Sequence, residues 1–139
     1  MLGALLFVSA CGTTPSRAPT PQGVLAADCR SLIAAIPDNL VLGGHRRPAS
    51  PALPYQAAFG TPAVTVRCGV SVPTYDPQDE VEVVDGVGWL QLPPGHGAEH
   101  LVSFQSRTVV QVDIPHRYLP ANVLPALSPL VARYGSAPS

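Results

Sequence analysis

Three cysteines and four histidines carry most of the reactive chemistry in this sequence. Cys29 and Cys68 each stand on an apolar face, and two readings compete for them. One is a disulfide, natural in an exported chain. The other makes Cys68 a thiolate nucleophile, which needs a histidine base and an unpaired thiol; a second core-facing cysteine weighs against it. No Cys-x-x-Cys spacing occurs, so a thioredoxin-like redox role has no support. Cys11 closes Val8-Ser9-Ala10-Cys11, an aliphatic residue, two small ones and a cysteine, which is the lipid-attachment pattern of bacterial lipoproteins. His96-Gly97-Ala98-Glu99-His100 has the letters of an inverted zinc-peptidase motif, in which both histidines must lie one helical turn apart. Here it follows Pro93-Pro94-Gly95 and contains Gly97, the composition of a polar hairpin loop, so neither metal nor cofactor is expected. A hydrolytic centre would have to gather His100, Asp113 or His116 with perturbed titration.

Two charged groupings remain. Asp76, Asp79, Glu80, Glu82 and Asp85 hold over half of the acidic residues. They lack the spacing and glycine of an EF-hand and read as an acidic edge strand that discourages strand addition. His45-Arg46-Arg47 is the one basic cluster, with a capacity to meet anionic headgroups or wall phosphate.

The elements that must position these residues follow from periodicity. Val64, Val66, Cys68, Val70 and Val72 alternate with polar or small residues, so Ala63 to Val72 is expected as a core strand. Leu25, Cys29, Leu32, Ile33 and Ile36 form the apolar stripe of a helix from Val24 to Ile36, which Pro37 ends. Pro37 to Gly60 shows no sustained period and predicts an irregular excursion, with one short strand near Leu40 to Leu42. Glu80 to Val84 and Val87 to Leu92 flank Asp85-Gly86, a two-residue hairpin turn, with a bulge at the same glycine as the alternative. His100 to Gln105 and Thr108 to Ile114 flank Ser106-Arg107 as a second hairpin. Trp89 alternates with Val87 and is expected in core or half-buried packing rather than as a ligand platform. Val123, Leu124, Leu127, Leu130, Val131 and Tyr134 recur at helical spacing, interrupted by Pro125 and Pro129. Either the helix starts near Pro125 and is kinked, or Ser128 caps a short helix with Pro129 in its first turn.

A chain of 139 residues allows one domain. Its eight cations are all arginine and its net charge is −1, which argues against the basic face a nucleic-acid partner needs. The shortage of lysine beside abundant Ala, Pro and Arg points to a high-GC, actinobacterial genome. Residues 1–10 read as a lipoprotein signal peptide, too short to remain as a membrane span. They contain no Lys or Arg, which a misplaced start codon would explain. Residues 11–23 read as the lipidated cysteine and a Pro/Thr tether, 24–135 as a single α+β domain, and 136–139 as a disordered tail. No Gly-x-Ser-x-Gly, phosphate-binding glycine loop or dinucleotide fingerprint appears.

The segments AAFGTPAVTVRCGV, VDGVGWL and VVQVDIP resemble the signature of the actinobacterial secreted or lipidated proteins grouped as domain of unknown function 3515. The similarity runs from about Asp28 to the C-terminus and centres on Cys68 and Trp89. Phe59 stands where that pattern has Trp, and Thr61 and Gly88 stand where it has Asp. The resemblance implies export and the two-cysteine layout, and supplies no catalytic residues.

The expected architecture is therefore α+β: a mainly antiparallel sheet of about four to six strands, with an N-terminal and a C-terminal helix on one face. The expected role is a lipoprotein on the extracytoplasmic face of the cytoplasmic membrane, a non-catalytic binding or interaction module. Its partners are the lipid anchor and an envelope protein or wall component. The alternatives are a small envelope hydrolase or transferase, and a carrier of an apolar ligand, which a large cavity between sheet and helices would favour.

Overall fold

The computed structural model describes residues 23–49, 53–71, 74–104 and 107–135. Cys11, the tether and the tail after residue 135 lie outside these residues. So do Val72, at the end of the expected core strand, and Gln105 and Ser106 of the second hairpin.

Helix α1, Gly23–Ala35, buries Ala26, Cys29, Leu32 and Ile33. At its C-terminal end Arg46 Nη2 donates to Ile33 O, in the last turn, at 2.9 Å and to Ile36 O, just past the helix, at 2.7 Å. Arg46 Nε also pairs with Asp38 at 3.2 Å. An arginine at the negative end of a helix satisfies orphan carbonyls and complements the dipole.

Seven strands follow: β1 Arg46–Arg47, β2 Gln56–Phe59, β3 Val64–Cys68, β4 Val81–Val84, β5 Val87–Gln91, β6 Ala98–Phe104 and β7 Val110–Pro115. They form one sheet in the order β1-β2-β3-β7-β6-β5-β4, and every neighbouring pair is antiparallel. The strand count exceeds the expected four to six because the stretch from Pro37 to Gly60 contains β1 and β2. Ala57, Ala58 and Phe59 are all buried, so β2 is covered on both faces and shows no alternation. Leu40 to Leu42 forms no strand; Leu40 and Val41 turn into the core and Leu42 is fully exposed. Strand β3 is shorter than expected, since Gly69 adopts φ 84° directly after Cys68 and leaves the sheet. The Asp85-Gly86 turn has φ 49° and 81° at its two central residues, the conformation a tight hairpin turn demands.

Helix α2, Pro120–Gly135, contains both prolines, so neither expected start is observed. Pro125 and Pro129 are four residues apart and exposed, while Val123, Leu124, Leu127, Ser128 and Val131 are buried. The carbonyls that the prolines leave without partners thus belong to the exposed face, and burial of the opposite stripe outweighs their poor propensity. Ser128 is not a cap; its hydroxyl accepts the Trp89 indole N–H at 2.9 Å inside the core.

Register shows that one sheet face carries both helices. Cys68 lies opposite Val110, Trp89 lies opposite Ser103, and Ser103 Oγ accepts the Val110 amide at 2.8 Å. Within this row Cys68 is bonded to Cys29 of α1, with a Cα separation of 5.4 Å, and Trp89 reaches α2. The core between sheet and helices includes Phe59, Val64, Val66, Trp89, Leu101, Val112, Leu32 and Leu127.

Candidate functional site

The other face of the central strands bears the polar residues of the alternating pattern. Register aligns Thr65 with Asp113 and Asp113 with His100, and Arg67 with Gln111. Three strands thus bring one carboxylate, one imidazole, one guanidinium and one amide together. Asp113 Oδ2 accepts from Arg67 Nη2 at 2.7 Å, and its Oδ1 accepts from Gln111 Nε2 at 2.9 Å. His100 Nδ1 lies 2.5 Å from Oδ1, and His100 Nε2 lies 3.1 Å from the Gly95 carbonyl oxygen. The side chains of His100, Asp113 and Arg67 are 22%, 17% and 34% exposed.

Burial pushes the Asp113 carboxyl up, but hydrogen bonds from Gln111, His100 and Arg67 together outweigh it and hold the group below its ordinary value. The Asp113 hydrogen bond is the main influence holding His100 above the ordinary imidazole value. Geometry agrees: both ring nitrogens face oxygens that can only accept, so the ring satisfies both by carrying two protons. An imidazolium so placed has no lone pair with which to act as a base. Arg67 Nε is buried without a hydrogen-bond partner among the described residues.

The pair has a pH consequence. With its pKa raised by folding, His100 contributes stability that is complete below the unfolded value of about 6.5 and is lost as pH rises through the native one. The urea midpoint of the wild type should fall between about pH 6 and pH 9 relative to that of His100→Gln; parallel curves would show that the contact is energetically silent. Asp113, with a depressed pKa, contributes in the opposite sense, and its share is lost as the medium is acidified below its ordinary value of 3.8.

The remaining residues singled out by sequence are dispersed. Cys29 and Cys68 are joined in a disulfide. His96 has φ 55° and sits in the turn that Gly95 and Ala98 close, while His100 lies on β6, so the H-x-x-E-H letters share no helix. Among the described residues, no three His, Cys, Asp or Glu side chains are grouped to hold a metal ion. His116 is exposed after β7 and does not join His100 and Asp113. Of the acidic group, Asp76 and Asp79 fold on themselves: Asp79 Oδ2 accepts the Asp76 amide at 2.6 Å and Asp76 Oδ1 accepts the Gln78 amide at 2.8 Å. The others flank or belong to β4, an edge of the sheet. Arg67 and Gln111 escape sequence reasoning as site members; for Arg67 the available signal is a charged residue in the middle of a strand whose alternate positions are apolar.

An α+β domain with a stapled N-terminal helix and a salt-bridged, solvent-side polar row is thus the frame into which any family must fit. The family model described as Protein of unknown function (DUF3515) matches residues 7–137, and the chain belongs to that family. No curated protein and no solved structure matches it.

Proposed function

We propose that this protein is a lipoprotein anchored through Cys11 on the extracytoplasmic face of the cytoplasmic membrane, where its domain serves as a non-catalytic binding or interaction module of the cell envelope. The observation that carries the reading is the Cys29–Cys68 disulfide inside the domain, because such bonds persist in oxidising, extracytoplasmic compartments. It joins the lipidation pattern Val8-Ser9-Ala10-Cys11 ahead of a Pro/Thr-rich stretch. Among the described residues, no helix is long and apolar enough to cross a membrane; attachment in this reading is by the acyl chains. The sulfur of Cys68 is already bonded, and His100 has both nitrogens against acceptor oxygens; these two facts favour binding over nucleophilic catalysis.

The test is Cys11→Ala in the native host. The wild type should partition with membranes and yield an N-terminal peptide bearing the mass of acyl chains. The variant should appear in the soluble fraction or as uncleaved precursor. Equal membrane partitioning of both, with no acyl mass on the wild type, would remove the lipoprotein reading.

A further inference from the structure

Where α1 ends and α2 begins, a cleft of about 400 Å³ opens between the segment around Leu42 to Arg47, the turn at Gly60 and Thr61, and Arg117 and Tyr118. Its shape depends on two glycines. A Cβ at Gly44 would sit 2.3 Å from Val41 Cγ2 and 2.9 Å from Gly60 Cα; one at Gly60 would sit 2.6 Å from Val41 Cγ2. Gly60 also has φ +79°, and its amide donates to His45 O at 3.0 Å. A side chain at either position would have to displace Val41, which packs against both glycines.

The side chains that line this space are one-signed. Its charged members are Arg47 and Arg117, with His45 beside them, and among the described residues no carboxylate borders it. Arg47 is held in place, since Nη1 donates to Thr61 Oγ1 at 2.8 Å and to Gly60 O at 3.3 Å. Arg117 is exposed and has no ion pair among the described residues. Asp38, the nearby acid, is committed to Arg46. The acidic residues from Asp76 to Asp85 belong to the opposite side of the sheet, around β4, whereas the cleft adjoins β1. The two edges of the sheet therefore differ in charge: β4 is flanked by carboxylates, while two arginines, Arg47 and Arg117, meet at the concave site beside β1.

We infer that this cleft binds a phosphate group, carried either by an anionic lipid headgroup or by a soluble phosphate ester. Arg47 is an oriented guanidinium and Arg117 a free one, and planar guanidinium forks match phosphate oxygens. Thr61 accepts from Arg47 and keeps its own hydroxyl proton for a ligand oxygen. Tyr118 gives its proton to Pro62 O at 2.9 Å, so it walls the cleft without donating into it. Leu42, fully exposed at the rim, and Leu119, 64% exposed beside Tyr118, are apolar contacts that a membrane interface would cover.

The test uses the full chain carrying Cys11→Ser, so that acylation contributes nothing and the outcome is independent of the anchor. Glycerol 3-phosphate and inorganic phosphate are titrated by calorimetry, and vesicles of phosphatidylglycerol or phosphatidylcholine are compared by co-sedimentation. Binding should weaken about tenfold in Arg117→Ala, the loss of one charge-assisted hydrogen bond, should weaken with salt, and should be unchanged in Arg133→Ala, an exposed arginine on α2. Arg117 is exposed and makes no ion pair among the described residues, so the variant is expected to fold as the wild type does; Arg47→Ala should show the same loss. Response to phosphatidylglycerol vesicles alone identifies the lipid source, and response to glycerol phosphate the soluble one. Absence of binding to every probe, or equal binding by wild type and Arg117→Ala, overturns the inference.

Discussion

Breaking the Cys29–Cys68 bond is expected to destabilise the domain by about 4 kcal/mol, the loop-closure entropy of a cross-link of this span. The two residues are 39 apart in sequence, and the bond fixes α1 to β3 at the middle of the apolar layer. Reduction should lower the melting temperature by on the order of ten degrees. Cys29→Ala, Cys68→Ala and the double variant should lose nearly the same amount, because either substitution alone removes the whole bond. Both cysteines are essentially inaccessible, at 0% and 3% exposure, so the native oxidised protein should resist a thiol reagent until it is reduced or unfolded. A thiol at residue 68 that labels readily in native protein taken from the cell, together with a harmless Cys29→Ser, would reopen the nucleophile reading.

Trp89→Ala should cost a comparable amount, about 3–5 kcal/mol, the range for truncating a large buried aromatic. Trp89 is fully buried on β5 and is the largest side chain of the core. Its indole N–H is also the polar link to α2 through Ser128. Ser128→Ala isolates that link, leaving a buried donor unpaired at a cost of about 1–3 kcal/mol, while Trp89→Phe removes the donor and keeps most of the ring. The double variant Trp89→Phe/Ser128→Ala should lose less than the sum of the two singles, since no unpaired group remains. Strict additivity in denaturant midpoints would mean that the hydrogen bond contributes nothing.

Much of this architecture is legible in residue periodicity, and the reasons differ by element. Strand β3 alternates cleanly because its Val64, Val66 and Cys68 face the core while Thr65 and Arg67 face away. The Asp85-Gly86 turn is legible because few residue pairs tolerate its two positive φ values. Strand β2 is illegible because both of its faces are covered, and α2 is misread because solvent tolerates the two prolines that its core face never meets. His100 and Asp113 can be singled out by type, but their meeting depends on the β6–β7 register. Arg67, 46 residues from Asp113, joins them only through the β3–β7 pairing. The cleft at Arg47 and Arg117 is likewise built by segments far apart in sequence, with only His45-Arg46-Arg47 visible beforehand. Of those three, Arg46 belongs to the end of α1.

The sheet consists of two meanders, β1-β2-β3 and β4-β5-β6-β7, joined along β3 and β7. A chain made from its amino end completes β3 long before β7 exists. In that interval β3 is an open edge whose backbone groups lack partners, and the apolar side of the first meander has α1 but not α2. The second meander needs only neighbouring hairpins, so it closes by short-range contacts; joining the first to it requires contacts across more than forty residues, the kind of pairing that slows folding. Until β7 pairs with it, β3 is the edge by which unfinished copies would find one another instead.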